Sequence, residues 1–193
     1  MYTKFLVKQL IHLHDKEFLS GIVCELGTSK WDTKINKWLK SSKPHFRICE
    51  TAPEFFDQID CSLRQFQSIP KRKFDNVIAT GNVMNSLDNK QCWTEVINTT
   101  NVGGHIIYNG PVGIHGAVAN LTPAGAAMIA ELNQMDILYM AVAHEHAEYI
   151  EKFDAHTALR EDDLTKILYK FRETQELRLA VTFRKNVDKE LVL

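Results

Sequence analysis

Six short apolar runs, "GIVCELG", "HFRICE", "FDNVIAT", "HIIYNGP", "DILYMAVAH" and "ELRLAVTFRK", punctuate the chain between residues 21 and 185. A near-continuous apolar run of strand length fits a strand covered on both faces, which requires packed layers above and below it. The stretches between the runs supply such layers. Leu6, Leu10 and Leu13 mark an opening helix over residues 3–19, and Trp31, Ile35, Trp38 and Leu39 share a helical face that Pro44 ends. Thr51 and Pro53 open another helix, followed by a weaker strand run, "SLRQFQSI". Asp88 is expected to cap a helix carrying Trp93, Val96, Ile97 and Thr100 inward, with Gly103-Gly104 as its stop. Thr122 and Pro123 form the strongest helix start in the chain, with Met128, Ile129 and Leu132 expected to face inward. Leu164, Ile167, Leu168 and Phe171 mark one more helix before the final strand. Strands alternating with helices predict an α/β fold with a mainly parallel sheet.

At 193 residues and 45% apolar content, the chain suits one domain with a real core. Its expected parts are an N-terminal helix over 1–19, a core over 20–184 and a tail over 185–193. Twenty-three basic and 24 acidic residues leave a formal charge of -1, so composition encodes no general attraction to nucleic acid or an anionic membrane. The basic triplet Lys71-Arg72-Lys73 reads as a solvated turn. No stretch reaches the roughly 18 apolar residues of a membrane span, and charges and histidines interrupt the N-terminal apolar positions. Cys24, Cys49, Cys61 and Cys92 show no paired spacing, which favours reduced thiols in a soluble cytoplasmic protein. A homo-oligomer is left open.

In an open parallel sheet, ligands lie beyond the carboxyl ends of the strands, at the topological switch point. Gly27, in "CELGTSKW", would let backbone approach a ligand closely, or would simply end a strand. Glu50 closes an apolar strand where a carboxylate accepts both hydroxyls of a ribose; the alternative is an acid in the first turn of a helix. Gly81, Asn82, Asn85 and Ser86 crowd the end of "FDNVIAT", either around a polar small molecule or bonded to their own backbone. His144, His146 and Glu148 alternate as residues on one strand face would, and two of them at i and i+2 could share a metal, but a third and fourth partner for such a pair are not evident, so a solvated strand end is preferred and no metal is expected. Met84, Met128, Met135 and Met140 read first as core.

Taken in order, "IVCELGTSKW", "HFRICE", "FDNVIATGNVMNSLDN" and "VGGHIIYNGP" resemble the successive ligand-side motifs of class I S-adenosylmethionine-dependent methyltransferases. The shared features are an acid-x-Gly turn after the first strand, an acid ending the second, an "FDxV" strand, and a Gly-Gly pair before the next strand. The resemblance covers residues 20 to 184. It implies a Rossmann-like three-layer sandwich, with a seven-stranded, mostly parallel sheet whose last strand is antiparallel. It also implies S-adenosylmethionine as cofactor, with Glu25 and Gly27 against its methionine part, Glu50 on the ribose, and Gly81 and Asn82 bordering the methionyl group and the transferred methyl. The chain departs from the family where Thr28, Ser29 and Lys30 follow Gly27 in place of further glycines, and where Gln67 or Ser68 stands for an acid near the adenine.

The activity implied is methyl transfer to an oxygen or nitrogen of a small-molecule or sugar-like acceptor. Methyl transfer is an in-line displacement, so the protein aligns the acceptor and supplies a base where the acceptor holds a proton. His115, in the loop "GPVGIHGAVAN", is the candidate base, the alternative being a histidine bonded to loop backbone. Asn120 is a candidate for orienting substrate, or for capping the helix that follows. The departures in the first turn support an alternative from another class, a binding or scaffold module that keeps the fold without the chemistry. A nicotinamide-dependent enzyme would also use Glu50, but the chain has no GxGxxG.

Overall fold

The computed structural model describes residues 4–26, 45–48, 73–80, 89–111, 121–144, 150–152 and 177–188. Strands β1 (Val23–Leu26), β2 (His45–Ile48), β3 (Phe74–Thr80), β4 (Thr100–Pro111), β5 (Met135–His144), β6 (Ile150–Lys152) and β7 (Leu177–Lys185) form one sheet in the order β2-β1-β3-β4-β7-β5-β6. Strands β2, β1, β3 and β4 pair in parallel, whereas β7 runs antiparallel to both β4 and β5. The sheet is therefore mixed, and β1 to β5 all point one way. The weak run at 62–69 lies outside the described residues. Strand β6, where sequence suggested only a polar loop, returns antiparallel along Ala141–Ala143. Its Glu151 and Lys152 suit a short charged edge strand, a pattern with too little apolar content to signal a strand locally.

Three helices cover the sheet among the described residues: α1 (Lys4–Asp15), α2 (Asn89–Thr99) and α3 (Pro123–Leu132). On one face, Trp93, Val96 and Ile97 of α2 and Ala126, Ile129 and Ala130 of α3 pack with Val77, Ala79, Ile106, Tyr108, Val181 and Phe183. On the other, Leu6, Leu10 and Leu13 of α1 meet Val23, Ile78 and Ile107. Alternation along each strand divides its residues between these two cores, giving three layers. Helix α1 stops at Asp15, short of the expected residue 19, and Glu17 then takes φ 60°. No helix among the described residues is long and apolar enough to cross a membrane.

Two helix expectations are corrected. Helix α2 ends at Thr99, before the glycine pair, because side chains satisfy its final carbonyls. The Thr100 hydroxyl donates to the Val96 carbonyl at 2.7 Å, and Lys185 Nζ donates to the carbonyls of Ile97 and Thr100 at 2.9 and 3.1 Å. Gly103 and Gly104 instead serve a bulge in β4, where the register jumps from Phe74–Thr100 to Asn76–His105. Gly103 takes φ +80°, and a Cβ on Gly104 would lie 2.8 Å from the Asp75 carbonyl oxygen. Helix α3 starts as expected, with the Thr122 hydroxyl accepting from the Gly125 N–H at 3.0 Å. Ile129 is buried as expected, but the rest of the buried face is Pro123, Ala126, Ala127 and Ala130, while Met128 is 56% exposed and Leu132 38%. Alanines thus make up most of the face turned to the core, and Met128 and Leu132 are left on the exposed flank.

Candidate functional site

Because β1 to β5 share a direction, their carboxyl ends, Leu26, Ile48, Thr80, Pro111 and His144, form one edge of the sheet. Antiparallel β7 starts at the same edge, with Arg178 opposite Pro111 and Leu177 opposite His144. The chain moves outward from β1 to β2 and then returns to β3 on the other side of β1, so the switch point lies between β1 and β3. Glu25 and Leu26 sit there, in register with Ile78 and Ala79.

Of the residues expected from sequence to form a site, Glu25 is described, and it is fully buried at the switch point. Gly27, Glu50, Gly81, Asn82, His115 and Asn120 lie outside the described residues. Described strands nevertheless run up to several of them: β1 ends one residue before Gly27, and β3 one residue before Gly81. His144 ends β5, while His146 and Glu148 fall outside the described residues.

Three further polar residues near this edge were not singled out in the sequence. Gln9 of α1 is fully buried, and its Nε2 donates toward the carbonyls of Tyr108 and Val181 and the hydroxyl of Thr182 at 3.3, 3.1 and 3.2 Å. Its Oε1 accepts from Asn109 Nδ2 at 3.2 Å, and Asn109 Oδ1 accepts in turn from Arg178 Nε at 3.3 Å. A glutamine within the Leu6, Leu10 and Leu13 face was the available sequence signal. Asn109 and Arg178 carried none, since each reads as an ordinary polar residue at a strand end. On the opposite face, burial raises the Tyr108 phenol to about 12, against smaller lowering effects from the Leu121 backbone and the Arg178 charge. The phenol is thus neutral across the physiological range. Its ring lies 5.9 Å from that of Trp93.

No family model matches the sequence, and no curated protein matches it. Solved structures match the fold. A SAM dependent methyltransferase from Archaeoglobus fulgidus aligns with a TM-score of 0.54 at 14% identity, covering 94% of this chain and 94% of that one. The plantazolicin methyltransferase BamL, in complex with a triazolic desmethylPZN analog and SAH, aligns at 0.58 and 12% identity, covering 94% and 84%. The 4+2 cyclase SpnF aligns at 0.58 and 12% identity, covering 93% and 82%. The sheet order, the antiparallel β7 and these alignments agree: the chain has the class I fold of S-adenosylmethionine-dependent methyltransferases.

Proposed function

We propose that the chain transfers a methyl group from S-adenosylmethionine to an oxygen or nitrogen of a small-molecule or sugar-like acceptor in the cytoplasm. The observation that carries this reading is the acid Glu25, at the carboxyl end of β1 beside the switch point, in a sheet whose last strand is antiparallel. A carboxylate there suits the ammonium of a methionyl group. In this reading Gly27 leaves room beside that group, Glu50 holds the ribose hydroxyls, and Gly81 and Asn82 border the methyl. The bound cofactor supplies an electrophilic methyl on sulfur. His115 takes the proton that the acceptor loses, and Asn120 orients the acceptor.

A second reading is a binding module without turnover. The full burial of Glu25 favours it, because an acid with no solvent exposure can serve the core as well as a ligand. The glycine-poor turn "LGTSK" points the same way. The fold itself does not decide the matter, since one structure that aligns with this chain is named as a cyclase. Calorimetry with S-adenosylmethionine and S-adenosylhomocysteine separates the possibilities. Binding of both is expected, and no heat and no thermal shift with either at millimolar concentration would remove the cofactor. Binding together with methyl transfer in a metabolite screen would exclude the second reading.

A further inference from the structure

The buried amides of Gln9 and Asn109 form a chain of hydrogen bonds whose direction is set at both ends. At the inner end stand the carbonyls of Tyr108 and Val181, which only accept. At the outer end stands the Arg178 guanidinium, which only donates. Arg178 therefore requires Asn109 Oδ1, which turns Asn109 Nδ2 toward Gln9 Oε1, which in turn directs Gln9 Nε2 at the carbonyls. Turning over either amide alone would set oxygen against oxygen or N–H against N–H, and turning over both would break the two ends. Gln9 and Asn109 are 0% and 1% exposed, so water offers no substitute partner. The Arg178 Nη2 also reaches the Asn109 carbonyl at 3.5 Å, which adds a second restraint on the guanidinium.

We propose that Gln9 is a positioning residue: through Asn109 it fixes the Arg178 guanidinium at the carboxyl end of the sheet, so that the N-terminal helix sets the geometry of the ligand edge. The functional sense of this inference rests on the reading that this edge binds ligand. The leucines of α1 account for its adhesion to the sheet, and a leucine at position 9 would add to it. A buried glutamine with partners on β4 and β7 instead ties the helix to particular residues of two strands, Val181 and Asn109.

The test is the side-chain Nε–H signal of Arg178 in nuclear magnetic resonance, assigned by its loss in Arg178→Lys. In the parent chain this proton should exchange with water at least tenfold more slowly than that of Arg184, which bonds to exposed Asp136. In Gln9→Met, which fills the same volume without the amide, the Arg178 signal should move toward the free-arginine position and exchange several-fold faster, with Arg184 unchanged. An Arg178 signal unaltered in folded Gln9→Met would overturn the proposal. Should that variant not fold, the parent measurement decides, because exchange at the free-arginine rate would show that no relay holds the group. Neither result depends on cofactor binding, so failure here is distinct from failure of the calorimetric test above.

Discussion

Gly21 holds φ +81°, and a Cβ built on it would collide with the Asp75 carboxylate. The Asp75 carboxylate cannot retreat without loss: it accepts from the Ile22 N–H at 2.7 Å and from Asn101 Nδ2 at 2.8 Å. Gly21→Ala should therefore cost about 1–3 kcal/mol, through both the backbone strain and the displaced acceptor. A urea midpoint equal to the parent's would contradict this. Asp75 thus explains the acid of the "FDxV" run as a tie at the amino end of β3, remote from the ligand edge. Glu50, the acid that the sequence assigns to a ribose, lies two positions past the described end of β2 and outside the described residues. If it holds two ribose hydroxyls, Glu50→Ala should weaken S-adenosylmethionine binding by about tenfold to a few hundredfold, from about 1.5–3 kcal/mol per charged hydrogen bond less the water displaced. Parental affinity in the variant would make Glu50 a surface or capping acid. Residue type alone distinguished neither acid, because a carboxylate at a strand end reads the same whether it meets an amide or a ribose.

Helix α2 and strand β7 are joined by Lys185, 1% exposed, whose ammonium meets the Ile97 carbonyl of the last helical turn, the Thr100 carbonyl just beyond it, and Asp188 Oδ1 at 2.7 Å. Lys185→Met keeps the stem and removes the donors, leaving those carbonyls to lose their partner. A cost of about 2–6 kcal/mol is expected, at about 1–3 kcal/mol for each of the two buried carbonyls left unsatisfied. A change below about 0.5 kcal/mol in chemical denaturation would show that the cap is dispensable. Helix α3 offers a test of which face is buried. Met128→Lys should change stability by no more than about 0.5 kcal/mol, as at other exposed sites. Ala126→Leu, at a fully buried position, should cost about 1–3 kcal/mol by overpacking. The reverse ranking would restore the face that periodicity first suggested. Its error has a simple origin, since hydrophobicity ranks Met and Leu above Ala, but a helix lying close against a sheet needs small residues at the contact. The start of the same helix was legible because capping is local, set by Thr122 and Pro123 within one turn.

Across the whole molecule, pH acts through groups that the fold brings together. Burial depresses the His105 pKa below 6.5, assisted by the Arg184 charge and opposed by the Phe18 backbone and Asp75. Its Nδ1 lies 3.1 Å from Asn76 Oδ1. The unfolded chain therefore binds a proton at a higher pH than the folded one, so His105 favours folding fully above pH 6.5 and loses that effect as pH falls below it. Urea midpoints should drop from pH 7.5 to pH 5 by more in the parent than in His105→Gln; parallel curves would exclude this linkage. In a lower window, hydrogen bonds from Lys185 and Lys73 hold Asp188 at about 2, so its contribution is complete above 3.8 and disappears on acidification through about 2. The sequence by itself determined the layered α/β class, because apolar runs and helical periods are local and each strand carries its own requirement for two covered faces. It also carried the order of strand-end motifs that pointed to the fold. Only the tertiary structure decided which polar groups share a buried network: Gln9 and Asn109 stand 100 positions apart, and Lys185 and Ile97 stand 88 apart. No local period can encode such meetings, since a buried donor finds its acceptor only after the strands and helices have packed.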